Sequence, residues 1–198
     1  METTDQIQCG IENSEVRKLD VNQTETLHED INQVDDRLYI SDGATAHCKE
    51  TLLNHKITHI VNVTDNLVSK YPDEFKYANY PVDDFASEDL GIYFDEATKF
   101  ISDALSENEE NRVLVHCFQG VSRSATIMTA FLIFKDKIPF HEAIEKIKKN
   151  RYIMPNAGFK KQLYHYQVRI TGNYELPKKS NPKYYQKGLE LPSENVEK

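Results

Sequence analysis

Two apolar segments joined by a short polar loop constrain the fold of this chain more than any other part of its sequence. Residues 113–115 (VLV) form a short apolar run, which is typical of a strand buried on both faces. Residues 124–134 (SATIMTAFLIF) are apolar almost all round, which predicts a buried, central helix. We therefore expect a strand, a tight loop and a helix in the middle of a layered α/β domain.

The rest of the domain shows the same alternation of strand and helix patterns. Runs of apolar or β-branched residues predict strands at 37–41, 58–63 and 77–82. Apolar residues at helical spacing predict helices at about 42–55 and 90–105, and two amphipathic helices between 140 and 170. The chain is therefore expected to adopt an α/β fold with a central, mostly parallel sheet flanked by helices.

The two ends of the chain differ in composition from its middle. Residues 1–30 are polar and acidic without a sustained period, and we expect a disordered arm, with Ile31 and Val34 packing on the domain edge before the first strand. Residues 172–198 show no helix or strand period and are interpreted as a tail. The folded domain is then 31–171. Its charge is nearly balanced, because residues 1–36 hold ten acids against two bases and the whole chain carries −8.

Composition excludes several classes of function. No apolar run approaches the ~18 residues that cross a bilayer, and no basic stripe indicates a nucleic acid partner. The three cysteines, Cys9, Cys48 and Cys117, are odd in number and lack Cys-x-x-Cys spacing. This favours reduced thiols inside a cell, in the cytoplasm and/or the nucleus, over a disulfide framework or a zinc site. We expect no metal and no cofactor, and we interpret Cys9 and Cys48 as bystanders.

The loop between the central strand and helix carries the residues for phosphate chemistry. A helix N-terminus at the carboxyl end of a strand attracts anions, and a loop curled around it can aim several backbone N–H groups at one centre. Gly120 permits a positive φ in this loop, and Arg123 offers a planar fork for two phosphate oxygens. Cys117 would lie at the base of this cup, where the same groups favour its thiolate. A thiolate beside a phosphate cradle predicts nucleophilic attack on phosphorus.

The segment HCFQGVSRSAT resembles the signature loop of the protein tyrosine phosphatase superfamily, and specifically of its dual-specificity phosphatases. Three further segments are similar to that family: RLYISDGATA to its first strand and helix start, ITHIVNVT to its second strand, and NRYIMPNAGFKKQL to its penultimate loop and last helix. The resemblance covers about 31–171. It implies a small, atypical, metal-independent intracellular enzyme that dephosphorylates phosphotyrosine and phosphoserine or phosphothreonine in proteins.

The resemblance also implies roles for single residues. His116 would order the loop and tune the thiolate, and Ser124 would hydrogen-bond the departing thiolate or cap the helix. Arg123 would clamp the phosphate. The backbone N–H groups that bind phosphate would come from Phe118, Gln119, Gly120, Val121 and Ser122.

The acid that protonates the leaving oxygen is expected in the loop YPVDDFASEDL. Alignment with the family's acid loop selects Asp84, and the adjacent Asp83 remains a rival. Asp89 is interpreted as the cap of a helix that begins at Leu90. Asn156, after Pro155, matches a family asparagine that supports the loops around the site.

Two other functions remain open at this stage. The chain could be a non-catalytic phosphoprotein-binding module, although a nucleophile, a clamp and a candidate acid are all present. It could also be a phosphoinositide or RNA 5′-phosphatase. Neutral residues at 118, 119, 121 and 122 argue against that reading, since a multiply charged substrate needs more cations than Arg123.

Overall fold

A single helix, α4, lies at the centre of the domain and is buried from Arg123 through Ile133. The computed structural model describes residues 29–174 of the chain. Helix α4 packs on the sheet and contacts three of the other helices. Nearly uniform apolarity around its axis suits a helix that is enclosed on every side. The predicted buried central helix is therefore present.

The elements follow one another as expected for a layered α/β domain. The strands are β1 (Ile31–Asp35), β2 (Leu38–Ser41), β3 (His59–Asn62), β4 (Lys76–Asn79) and β5 (Val113–His116). The helices are α1 (Gly43–Ala46), α2 (Lys49–Asn54), α3 (Phe94–Glu107), α4 (Arg123–Asp136), α5 (Phe140–Lys148) and α6 (Ala157–Thr171), with a 3₁₀ turn at Gly91–Tyr93.

The five described strands form one sheet in the order β1-β2-β5-β3-β4. Only β1 runs antiparallel to its neighbour, so the sheet is mostly parallel, as predicted. Strand β5 is central. Its residues Val113 and Val115 join the main core with α3 to α6, whereas Leu114 joins a smaller core with Leu52 of α2. Since successive strand residues point to opposite faces, the sheet is covered on both sides.

Several expected boundaries differ from the structure. Residues 31–35 form a further strand at the edge of the sheet, ahead of the one expected to be first, and Ile31 and Val34 pack on the domain as expected. The predicted helix at 42–55 is two short helices, because the backbone of Cys48 is extended and Cys48 is the N-cap residue of α2. Asp42 caps the first of them, its carboxylate accepting from the Thr45 N–H at 2.8 Å. The strand expected at 77–82 ends at Asn79.

The prediction that Asp89 caps a helix beginning at Leu90 is wrong. This segment opens with the 3₁₀ turn, and no side-chain cap is present at its start or at the start of α3. The Gly91 N–H donates instead to Oε1 of Gln162 in α6 at 2.8 Å. A distant side chain therefore satisfies the group that a local cap would have bonded.

The predicted arm and tail, and Cys9, fall mostly outside the described residues. The last two residues of that arm are described, and both contact the domain. Glu29 accepts one hydrogen bond from the Thr51 hydroxyl and contacts the His55 ring, and Asp30 pairs with Arg151. Over residues 29–174 no helix has the length and apolarity needed to cross a bilayer. The same range holds no cluster of three His, Cys, Asp or Glu side chains suited to a metal ion.

Candidate active site

The loop between β5 and α4 lies at the carboxyl edge of the sheet, beside the strand at its centre. Strand β5 ends at His116 and α4 begins at Arg123, so residues 117–122 bridge the two elements. In parallel sheets this edge is where ligands bind. The structure thus places Cys117 at the start of this loop and Arg123 directly after it, at the first residue of α4, as the sequence predicts.

Each backbone carbonyl oxygen from Phe118 to Ser122 accepts a hydrogen bond, and these carbonyls point away from the centre of the loop. The donors are Gly43 N to Phe118 O (3.0 Å), Arg151 Nη2 to Gln119 O (3.1 Å), Arg151 Nε to Gly120 O (2.8 Å), Met154 N to Val121 O (2.9 Å) and Thr126 N to Ser122 O (2.9 Å). A trans peptide points its N–H opposite its C=O, so the N–H groups that follow these carbonyls turn towards the centre. The result is an anion nest.

Gly120 is required by this arrangement. Its φ is +67°, a value that other residues adopt only with strain. A Cβ at this position would overlap the carbonyl oxygen of Ser41 and Nη2 of Arg151. Both backbone conformation and space therefore exclude a side chain here.

Cys117 lies at the base of the nest and is only 2% exposed. Its Sγ accepts hydrogen bonds from the Gly120 N–H at 3.2 Å and from the Ser124 hydroxyl at 3.3 Å. These two donors, one in the loop and one in the first turn of α4, hold the sulfur in place at the base of the nest. The predicted nucleophile and the predicted helper Ser124 are thus in direct contact.

Arg123 is 7% exposed and lines the same pocket as Cys117. Its Nη1 donates to the carbonyl oxygen of Val82 at 2.9 Å, which fixes the guanidinium against the end of the acid loop. Its Nε is buried and has no hydrogen-bond partner among residues 29–174. A buried N–H without a partner is costly, so an anion that accepted this bond would be bound favourably.

Asp84 reaches the pocket and its neighbour Asp83 does not line it. Oδ1 of Asp84 accepts two hydrogen bonds, one from the Ser122 hydroxyl at 2.7 Å and one from Nδ2 of Asn156 at 2.9 Å. Asn156 also caps α6, since its Oδ1 accepts from the Phe159 N–H at 2.9 Å. The asparagine therefore ties the acid loop to the last helix, in keeping with the supporting role expected for it.

His116 is buried next to Cys117, with Nδ1 lying 3.4 Å from the Cys117 carbonyl oxygen. Burial lowers the pKa of His116 to about 4, so the ring is neutral at pH 7. It can order the start of the loop through this contact. A neutral ring cannot stabilise the thiolate through a positive charge.

Sequence reasoning missed two contributions to the site. Arg151 holds two of the loop carbonyls, but an arginine in the polar segment NRYIMPN gives no sign that it is buried. The hydroxyl of Ser122 contacts Asp84, whereas Ser122 was expected to contribute mainly its backbone N–H group. Both contacts join segments far apart in the sequence.

The pocket above the loop has a volume of about 490 Å³. Among the described residues that line it, Arg123 is the only cation. Two large apolar side chains, Phe118 and Met154, lie on its rim and are 57% and 54% exposed. Fold and site together define an α/β protein with an oxyanion nest, a buried arginine and a carboxylic acid around one cysteine.

Comparison with known proteins identifies this class. A family model described as "Dual specificity phosphatase, catalytic domain" matches residues 38–169. Dual specificity protein phosphatase 1B of Arabidopsis thaliana is 39% identical over 145 residues, 73% of this chain and 86% of that protein. Dual specificity protein phosphatase 13B of Mus musculus is 37% identical over 154 residues, 74% of this chain and 77% of that protein.

A solved structure agrees with these relatives. A mouse dual specificity phosphatase crystallised with zinc tungstate is 26% identical, with a TM-score of 0.71 over 77% of this chain and 96% of that one. The chain belongs to the dual specificity phosphatase family and is a cysteine-based protein phosphatase.

Proposed function

We propose that Cys117 attacks the phosphorus of a phosphorylated protein side chain and forms a phosphocysteine. In this step the sulfur–phosphorus bond forms and the ester oxygen–phosphorus bond breaks. The observation that carries the proposal is the placement of Sγ at the base of inward-facing N–H groups, beside the buried and unpartnered Nε of Arg123. Such donors stabilise the charge on the transferring phosphoryl group without any metal ion.

Asp84 donates the proton that the leaving oxygen needs. Because Ser122 and Asn156 both donate to Oδ1, the proton of the acid form resides on Oδ2. This leaves one defined oxygen of the carboxyl group to face the substrate. General acids contribute ~10²–10⁴-fold where the leaving group is basic, as it is for phosphothreonine.

Water completes the cycle. Asp84, now ionised, accepts a proton from a water molecule that attacks the phosphocysteine, and the sulfur–phosphorus bond breaks to release phosphate. The departing sulfur regains its negative charge. The Ser124 hydroxyl, 3.3 Å from Sγ, stabilises that thiolate as it leaves.

The substrates proposed are proteins phosphorylated on tyrosine and on serine or threonine. One cation in the pocket suits one phosphate group, and the exposed Phe118 and Met154 suit the apolar parts of a peptide more than an inositol polyphosphate or RNA. The tungstate in the mouse relative is a tetrahedral oxyanion, and the nest described here suits the same shape. An odd cysteine count without paired spacing supports a location in the cytoplasm and/or the nucleus.

The direct test is turnover of nitrophenyl phosphate and of phosphopeptides by wild type, Cys117→Ser and Arg123→Lys. We expect wild type to be active and both variants to be inactive. A serine hydroxyl is not ionised at neutral pH, and an ammonium cannot make the two-point contact of a guanidinium. Cys117→Ser should still bind phosphopeptide.

Two outcomes would reject the proposal. A wild-type protein that binds phosphopeptide without hydrolysing any substrate would be a binding module. Faster hydrolysis of phosphoinositides or RNA 5′-phosphates than of phosphopeptides would place the substrate in another class.

A further inference from the structure

We infer that Arg151 is a positioning residue that holds the phosphate-binding loop in shape, and that the carboxylate of Asp30 fixes Arg151 in place. The inference rests on the proposed function, since it concerns the loop around Cys117. It adds a residue from the segment before α6 and a residue from the segment before β1 to the machinery of the site.

The Arg151 side chain lies against the phosphate-binding loop. It is only 6% exposed, although no predicted element required burial of this residue. Its Nε donates to the carbonyl oxygen of Gly120 at 2.8 Å, and its Nη2 donates to the carbonyl oxygen of Gln119 at 3.1 Å. Arg151 thus restrains two consecutive peptide units of the nest.

Side chains of the segment around β1 hold the guanidinium of Arg151. Asp30 contacts it at two points, Nη1 to Oδ1 at 2.7 Å and Nη2 to Oδ2 at 2.8 Å. Nη1 also donates to Oδ1 of Asn32 at 2.9 Å. An arginine has five N–H donors, and these contacts with the two loop carbonyls occupy all five.

This full set of partners separates Arg151 from Arg123. Arg123 keeps a buried Nε that is unpartnered among the described residues and lines the pocket. Arg151 has no donor left for a substrate and is absent from the pocket lining. Arg151 therefore acts on the substrate through the loop rather than by direct contact.

The consequence for the loop follows from peptide geometry. Holding the Gln119 carbonyl outward turns the Gly120 N–H inward, where it donates to Cys117 Sγ at 3.2 Å. Holding the Gly120 carbonyl outward turns the Val121 N–H inward in the same way. If either peptide rotated, a carbonyl oxygen would face the phosphate and repel it.

The test measures oxyanion binding in Arg151→Met, Arg151→Lys and Asp30→Asn. Vanadate inhibition is measured against nitrophenyl phosphate, and tungstate binding is measured by calorimetry in the Cys117→Ser background. We expect Arg151→Met to lower kcat/KM by ~10²-fold, because misplacing a catalytic loop slightly costs about that much. We expect Asp30→Asn to weaken vanadate binding by roughly tenfold, because the charge-assisted hydrogen bonds that hold the arginine are lost.

A second ion pair provides the matched control. Arg169 makes the same two-point contact with Asp95, with both N–O distances 2.8 Å, on the surface between α6 and α3. Arg169→Met and Asp95→Asn remove the same groups without touching the loop. They should leave vanadate and tungstate affinity unchanged.

The sign of the Asp30→Asn effect separates positioning from simple charge. Removing a negative charge near an anion site would strengthen oxyanion binding if charge alone mattered. If Arg151 positions the loop, Asp30→Asn must weaken oxyanion binding. Arg151→Lys must also weaken oxyanion binding, although it keeps the positive charge. Tighter vanadate binding by Asp30→Asn, or unchanged tungstate binding by folded Arg151→Lys, would overturn the inference.

Stability is monitored by thermal unfolding of every variant. A lower Tm with unchanged oxyanion affinity would also overturn the inference, because Arg151 would then serve only the fold. If Arg151→Met does not fold, Arg151→Lys and Asp30→Asn decide. Failure of the proposed function can be distinguished from failure of this inference. In that case the wild-type protein would be inactive, while tungstate binding would still show whether Arg151 positions the loop.

Discussion

The hydroxyl of Ser122 donates a hydrogen bond of 2.7 Å to Oδ1 of Asp84. Ser122 belongs to the loop that carries Cys117, and Asp84 belongs to the loop after β4. The candidate acid is therefore positioned by the same loop that binds the phosphate. This contact makes the placement of nucleophile and acid interdependent, and it leads to the first two predictions.

Asp84→Ala should impair hydrolysis of phosphothreonine and phosphotyrosine peptides far more than hydrolysis of nitrophenyl phosphate. An alkoxide needs a proton when it leaves, whereas nitrophenolate leaves without one, so the loss should approach ~10²–10⁴-fold only for the peptides. The alkaline limb of the pH–rate curve should flatten. Asp83→Ala is the matched control. A large effect of Asp83→Ala with none for Asp84→Ala would show that the adjacent residue is the acid.

Ser122→Ala should reproduce part of the Asp84→Ala effect. The variant keeps the backbone of the nest and the hydrogen bond from Asn156 Nδ2 to Asp84 Oδ1. It removes the Ser122 hydrogen bond to Oδ1, together with the one that the Asn156 N–H donates to the Ser122 hydroxyl at 3.3 Å. We expect a loss of roughly tenfold in kcat for phosphothreonine peptides, consistent with one charge-assisted hydrogen bond, and little change in vanadate affinity. A weaker vanadate affinity with unaltered kcat would indicate that Ser122 serves phosphate binding instead.

His116 should make the protein less stable in weak acid. Burial lowers its folded-state pKa from 6.5 to about 4, so the unfolded chain binds the proton more tightly than the folded chain. The stabilising contribution is present above pH 6.5 and is lost as the pH falls towards 4, by about 1.4 kcal/mol per unit at most. Urea unfolding between pH 7 and pH 4.5 should show this slope, and His116→Gln should reduce it.

His47 and His59 remain in both proteins of that comparison. Burial lowers their pKa values as well, so some acid sensitivity will persist in His116→Gln. An identical slope in wild type and variant would mean that the His116 ring is not the group that titrates.

Activity should be complete in the presence of a chelator and should be inhibited by vanadate. The nest and Arg123 supply the positive potential that a metal ion supplies elsewhere, and vanadate has the shape of the transferring phosphoryl group. Initial rates with nitrophenyl phosphate, with and without chelator, test this. Activity that returned only on addition of a divalent metal would contradict the mechanism.

The central part of the fold was predictable because its signals are local. The run at 113–115, the glycine at 120 and the apolar helix after Arg123 are neighbours in sequence, and the structure keeps them together. Asp84 was reached through the resemblance of its loop, and the structure brings it to the pocket.

The missed features depend on contacts between distant residues. In strand β1 only Val34 is buried, so its hydrophobic pattern is too weak to predict a strand at the edge of the sheet. Arg151 and Asp30 are 121 positions apart, and nothing in the sequence around either residue indicates that they pair. A capping role for Asp89 was plausible locally, but Gln162 of α6 satisfies the helix start from across the domain. Pairings of this kind are set by the tertiary fold.

The partners of the loop carbonyls come from the beginning, middle and end of the domain. Gly43, Met154 and Thr126 belong to segments that meet only in the folded molecule. A peptide spanning 113–136 alone would lack most of these donors and could not bind phosphate as the domain does. Oxyanion binding should therefore be linked to global unfolding: at a concentration one hundred times its Kd, an oxyanion should raise the unfolding free energy by about 2.7 kcal/mol.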